Sequence, residues 1–171
     1  MMKKITLYLD MDGVLSNFEK AYRAMWNEFT FDRQRFREAV MQREIFRTLE
    51  LMPNALSFIE GVKKIERLYG LNVEILTSTG THNSEMKLLG IQQKTDWLKS
   101  HGITWKPNFV SSKPEKSKYA GPYNLLVDDH IGCIDPFREK GGIGFLHVDA
   151  EYETTLEKLG WCLDELTTEF V

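Results

Sequence analysis

Five short apolar runs, each flanked by polar or turn-forming residues, constrain what this chain can fold into more than any other feature. They are Ile5-Thr6-Leu7-Tyr8-Leu9, Val73-Glu74-Ile75-Leu76, Phe109-Val110, Leu125-Leu126-Val127 and Gly144-Phe145-Leu146. Near-continuous apolar runs of this length suit parallel strands covered on both faces. Helical patterns lie between them. Residues 54–69 place Leu56, Ile59, Val62, Ile65 and Leu68 at intervals of three, and Gly70 closes the segment. A second helix is expected over 84–100, ended by Gly102, and a third closes near Asp135 to Lys140 before Gly141-Gly142. Strand and helix in alternation predict an α/β fold, a doubly wound (Rossmann-like) parallel sheet of about five strands.

One stretch breaks the alternation. Residues 14–50 hold no strand pattern but two charged helical ones, roughly 17–29 and 32–47, carrying Phe18, Tyr22, Trp26, Phe29, Phe31, Phe36 and Phe46. The expected organisation is an α/β core from 1–13 and 51–171, with a small helical cap at 14–50 inserted after the first strand. A length of 171 residues accommodates one such domain. Twenty-two basic residues against 25 acidic ones leave a net charge of −3, no general footprint for nucleic acid, so no stable nucleic-acid partner is expected. No apolar run approaches the roughly 18 residues a membrane helix needs. Cys133 and Cys162 stand far apart and read as reduced thiols, which places the expected location in the cytoplasm.

Open α/β sheets bind ligands beyond the carboxyl ends of their strands, so polar residues at those ends are the candidates. Asp10 and Asp12 follow the first strand, Thr77 and Ser78 the second, and Asp128 and Asp129 the fourth, which Lys113, Lys116 and Lys118 precede. Taken singly, Asp-x-Asp-Gly serves any strand-ending turn, Asp128-Asp129 a helix cap, Thr77-Ser78 a turn, and the lysines a solvated face. Taken together they bring four carboxylates into one crevice, which demands compensating cation or phosphate. Mg2+ is a hard ion held by carboxylates plus substrate phosphate. A carboxylate can also attack phosphorus to give an aspartyl-phosphate. Gly13 permits the turn that returns Asp12 over Asp10, so that one attacks while the other handles the leaving-group proton.

In this order the residues resemble the four motifs of the haloacid dehalogenase-like hydrolase superfamily. Asp10-Met11-Asp12-Gly13-Val14-Leu15 is similar to the first motif, Leu76-Thr77-Ser78 to the second, a lysine near 118 to the third, and Val127-Asp128-Asp129 to the fourth. Within that superfamily the chain resembles the 5'(3')-deoxyribonucleotidase-like group, with Phe18 after the first motif and a lysine ten residues before Asp128. It departs from that group at Asn17, often an aspartate there, and in the shortness of its cap. The resemblance implies an Mg2+-dependent phosphomonoesterase acting through an aspartyl-phosphate, with nucleotide substrates implied by the subgroup. It implies Asp10 as nucleophile and metal ligand, and Asp12 as general acid and base with its backbone carbonyl on the metal. Thr77 and Ser78 would hold phosphate, Lys118 would neutralise charge with Lys113 and Lys116 as substitutes, and Asp129 would be the third metal ligand with Asp128 its partner or substitute.

Other features read as structural. His82, His101, His130 and His147 show no metal spacing, and Gly141-Gly142-Ile143-Gly144 precedes a strand rather than following one, as a tight turn does. The cap aromatics are cap core by default, with Phe18 and Phe46 the candidates to stack on a base. The competing functions are a phosphatase for nucleic-acid 3' ends or sugar phosphates, a phosphoacceptor module of receiver type, and a catalytically idle binding protein. A receiver places its acidic pair at the first strand and its phosphorylated aspartate on a central one, the reverse of the order here.

Overall fold

A computed structural model describes residues 4–27 and 30–168. Five parallel strands form one sheet: β1 (Thr6–Leu9), β2 (Asn72–Ser78), β3 (Lys106–Val110), β4 (Asn124–Asp128) and β5 (Ile143–Leu146). Their spatial order is β3-β2-β1-β4-β5, as expected for a doubly wound sheet. The chain builds outward from β1 through β2 to β3, then returns to lay β4 on the other side of β1. The topological switch point therefore falls between β1 and β4. Leu9 pairs in register with both Ile75 and Val127, and the next residue on the first strand, Asp10, donates its N–H to the Val127 carbonyl at 3.0 Å.

Among the described residues six α-helices surround the sheet: α1 (Phe18–Trp26), α2 (Arg33–Met41), α3 (Ala55–Tyr69), α4 (Ser84–Ser100), α5 (Ile131–Glu139) and α6 (Tyr152–Thr168). Alternation along the strands divides the core. Leu7, Leu9, Val73, Ile75, Leu125 and Val127 join the larger apolar cluster with α3, α4 and α6. Tyr8, Leu76 and Leu126 face the other way onto Cys133, Ile134 and Phe137 of α5. The helix α6, absent from the expected elements, covers α3: Leu156 lies directly over Gly61, and the Tyr69 hydroxyl donates to Asp164 at 2.6 Å. Gly141 takes φ +84 in the turn before β5, consistent with the structural reading of that glycine run. Among the described residues no helix is long and apolar enough to cross a membrane.

The segment between β1 and α3 holds α1, α2 and a 3-10 turn at Ile45–Arg47. The expected helix over 32–47 is broken because Glu44 takes a left-handed conformation (φ 49). The far end of the expected 17–29 helix, with Phe29, lies outside the described residues. Two backbone bonds, Asn17 N–H to Glu50 O and Met52 N–H to Leu15 O, both 2.8 Å, pair the outgoing and returning chain. The whole segment thus leaves and re-enters through a narrow two-stranded neck beside the end of β1. Helix α4 grips it from below. Gln93 donates to the Val40 carbonyl and the Trp97 indole to the Leu49 carbonyl, at 2.8 and 2.7 Å.

The stripe expected on α3 needs correcting. Leu56 and Leu68 are exposed, and the buried face is Ala55, Phe58, Ile59 and Val62. An interval of three falls short of one turn of about 3.6 residues, so a strict three-residue row winds around the helix and leaves the core at both ends. The difference is measurable. Phe58→Ala should cost about 3–5 kcal/mol in urea unfolding, whereas Leu68→Ala should stay within about 0.5 kcal/mol.

Candidate functional site

The carboxyl ends of β1 and β4 meet at the switch point, and the loop after β1 is shaped to keep its side chains there. The Met11 carbonyl accepts the N–H groups of Val14, Leu15 and Ser16 at 3.1, 2.7 and 2.9 Å, with Met11, Val14 and Leu15 fully buried. Gly13 completes the turn at φ +86, and a side-chain carbon there would meet the Asp129 carboxylate at 2.1 Å. Only glycine satisfies both demands, since positive φ strains other residues and the aspartate already occupies the space. Asp129 is in this way brought against the loop that carries Asp10 and Asp12.

Asp10, Asp128 and Asp129 each offer an oxygen within 4.8 Å of the others. Lys116, buried with 1% of its side chain exposed, joins two of them. Its Nζ lies 2.7 Å from Asp10 Oδ1 and 2.6 Å from Asp128 Oδ2. Asp128 Oδ1 accepts the His130 N–H at 2.9 Å, so both oxygens of this fully buried carboxylate are engaged. Burial opposes the Lys116 charge, yet Asp10 and Asp128 outweigh it and raise its pKa. Burial, then the neighbouring Asp128, raises the pKa of Asp10 against the pull of Lys116 and Lys94. For Asp129, burial followed by like charge from Asp10 and Asp128 pushes the pKa up to about 7, although the residue keeps contact with solvent. Burial also pushes the nearby Cys133 thiol up, which keeps it protonated and removes it as a nucleophile.

Thr77 is fully buried at the end of β2, while Ser78 is half-buried and its hydroxyl accepts the Gly80 N–H at 3.0 Å. A second buried lysine, Lys94 on α4, donates to Asp12 Oδ2 at 2.5 Å and Thr77 Oγ1 at 2.9 Å. Ser16 donates to the other Asp12 oxygen at 2.8 Å. Sequence reasoning missed Lys94, since a lone lysine within a helix reads as a solvated one. The available signal was its register: Met86, Gly90, Gln93 and Trp97 form the buried face of α4, and Lys94 belongs to it.

The other candidates separate. Lys118, favoured by the ten-residue spacing, projects into solvent and pairs with Glu115 at 3.2 Å; Lys116 occupies the position expected of it. The reason is local: Lys113–Tyr119 forms a 3-10 helix, and its tight turn directs residue 116 inward. Lys113 is exposed. Phe46 is buried at 2% exposure, stacked on Phe18 with ring centres 5.7 Å apart and lying under Lys94 Nζ at 4.4 Å, so its ring is not free to stack on a base. Phe18 is half-buried in the same aromatic cluster. His130 caps α5, its Nδ1 accepting the Gly132 N–H, as the structural reading of that histidine anticipates.

Four carboxylates and two buried ammoniums thus surround one crevice at the switch point of a doubly wound sheet. With all four ionised the deficit, two negative charges, is that of one divalent cation, and the oxygen-only donor set suits a hard ion such as Mg2+. No protein-family model matches the sequence and no curated protein matches it. Solved structures do. One described as a dehalogenase superposes with a TM-score of 0.50 at 15% identity, covering 84% of each chain. A haloacid dehalogenase-like family hydrolase from Streptococcus pneumoniae covers 84% of both chains at 12% identity and a TM-score of 0.48. CbbY from Rhodobacter sphaeroides, in complex with phosphate, covers 83% of this chain and 85% of its own at 13% identity and a TM-score of 0.46. The chain shares its fold with the structure described as a dehalogenase.

The two lysines of the 3-10 helix give contrasting expectations. Lys116→Met leaves Asp10 and Asp128 buried without their common partner and should lower unfolding free energy by about 3 kcal/mol or more. Lys118→Ala removes an exposed pair and should change it by no more than about 0.5 kcal/mol. Equal effects in chemical denaturation would contradict the assignment of Lys116 to the crevice.

Proposed function

We propose that the chain is an Mg2+-dependent phosphomonoesterase of the haloacid dehalogenase-like superfamily, acting through an aspartyl-phosphate on Asp10. The observation that carries this reading is the position of Asp10, held by Lys116 at the switch point with Asp128 and Asp129 within 4.8 Å. Asp10 and Asp129, with Asp128 behind them and the Asp12 backbone carbonyl, would hold Mg2+. When bound, that ion supplies the positive charge that keeps Asp10 ionised and offsets the charge of the phosphoryl group.

Lys116 occupies Asp10 Oδ1 and leaves Oδ2 to attack phosphorus. As the new P–O bond forms, the ester P–O bond breaks and the leaving oxygen takes a proton from Asp12, which enters this step as the carboxylic acid and leaves it as the carboxylate. A water molecule then attacks phosphorus while Asp12 takes its proton; the bond to Asp10 breaks, and inorganic phosphate departs. Thr77 and Ser78 would hold the phosphate oxygens, and Lys116 serves in the role first expected of Lys118. Residues 14–50 act as the cap over this crevice, and residues 1–13 and 51–171 as the core. A small phosphorylated molecule is the substrate, with nucleotides the leading class on the motif resemblance. A nucleic-acid 3' end or a sugar phosphate is the alternative. The closed aromatic cluster around Phe46 gives the nucleotide no stacking platform on that residue, so base recognition would fall to Phe18 or to the neck.

Phosphate release from an aryl phosphate should require Mg2+ and vanish in Asp10→Asn, with the variant's folding checked by its unfolding curve. Full activity in the variant, or activity unaffected by chelator, would contradict this reading. A panel of nucleotides, sugar phosphates and 3'-phosphorylated oligonucleotides assigns the class: preferential turnover of nucleotides supports the nucleotidase reading, and equal turnover of all three contradicts it.

A further inference from the structure

We propose that Lys94 is the positioning residue for proton transfer, aligning Asp12 and Thr77 from beneath the crevice. This rests on the phosphatase reading above. Its ammonium is fully buried and has three neighbours, matching its three N–H bonds: Asp12 Oδ2 at 2.5 Å, Thr77 Oγ1 at 2.9 Å and the face of Phe46 at 4.4 Å. Burying a lone ammonium in apolar surroundings is unfavourable unless charge and hydrogen bonds compensate. Here a carboxylate, a hydroxyl and an aromatic face provide that compensation, and no direction is left over for substrate. Lys94 therefore acts through its neighbours rather than on the reacting atoms.

The direction of each bond says how. At Thr77 the lysine donates, so the hydroxyl oxygen is the acceptor and its own proton remains available for a phosphate oxygen. At Asp12 the lysine takes Oδ2 while Ser16 takes Oδ1. Two donors from opposite sides, one on the loop after β1 and one on α4, fix the plane of the carboxylate. About a quarter of the Asp12 side chain remains exposed. The accessible edge is thereby set, and a carboxylate so held needs little reorganisation at the moment of proton transfer. Phe46 comes from the inserted segment, so that segment and the proton carrier share one buried contact.

The experiment compares two aryl esters in Lys94→Met, a variant of similar length without charge. Dinitrophenolate leaves without a proton, whereas phenolate needs one, and kcat/KM reports the attack step that precedes water's entry. The ratio of the two kcat/KM values is the readout, because weaker phosphate binding through Thr77 lowers both alike. We expect phenyl phosphate to lose about 10²-fold or more while dinitrophenyl phosphate loses at least tenfold less. Should Lys94→Met fail to fold, Phe46→Leu retains the lysine and the apolar volume while removing the ring, and the same preferential loss on phenyl phosphate is expected at smaller amplitude. A uniform loss on both esters, or none, overturns the assignment. If the parent protein hydrolyses neither ester, the phosphatase reading fails and the role of Lys94 falls with it, whereas a uniform loss in the variant alone overturns only the role of Lys94.

Discussion

Everything at the carboxyl edge of this sheet depends on the Lys116 ammonium between Asp10 and Asp128. Sheet pairing brings β1 and β4 together as neighbours, which forces the residues after Leu9 and Val127 into proximity. Two carboxylates that close, shielded from water, oppose each other's ionisation. The buried lysine resolves the conflict at 2.7 and 2.6 Å and makes the junction compatible with a folded chain. Such an arrangement contributes less to net stability than to defining the site: an apolar packing would satisfy the fold equally well, whereas removing one partner leaves a charge stranded.

Lys94 repeats the device on the other side of the crevice, and the two lysines differ in what they engage. Lys116 holds the residues that would attack and bind metal; Lys94 holds those that would carry a proton and grip phosphate. Of the two charges still outstanding after both, one stays with Asp10 and Asp128, which share Lys116, and the other with Asp129, the most accessible of the carboxylates and the one whose pKa is driven up to about 7. A divalent cation entering beside Asp129 would offset that rise, whose first cause is burial and whose second is like charge. Gly13 adds a steric reason for the same geometry, because only a residue without a side chain admits the Asp129 carboxylate so near.

Much of the fold was legible because strands buried on both faces announce themselves as apolar runs, and all five appear where those runs lie. Strand-end chemistry was legible for the same reason: once Leu9 and Val127 end strands, Asp10, Asp128 and Asp129 must stand at the edge. What escaped depends on side-chain direction rather than on chain position. Counting ten residues back from Asp128 lands on Lys118, but in the 3-10 helix Lys113–Tyr119, with about three residues per turn, it is Lys116 that faces inward. Leu56 and Leu68 share a three-residue spacing with the buried Val62, yet helical rotation carries them to solvent. Lys94 was invisible because its partners, Asp12, Thr77 and Phe46, lie on three separate parts of the chain. Phe46, cap core by default and a candidate to stack on a base, is buried with its ring against that lysine. Pairings of this kind arise only once the elements have packed.

The measurement that tests the central claim most directly is the mass of the protein trapped by cold acid during turnover of a phosphate ester. The account predicts a fraction heavier by one phosphoryl group, with the added group confined to the peptide containing Asp10 and discharged by hydroxylamine, as an acyl phosphate is. A phosphoryl group found on Asp128 or Asp129, or turnover with Asp10 unmodified under conditions that preserve acyl phosphates, would contradict it.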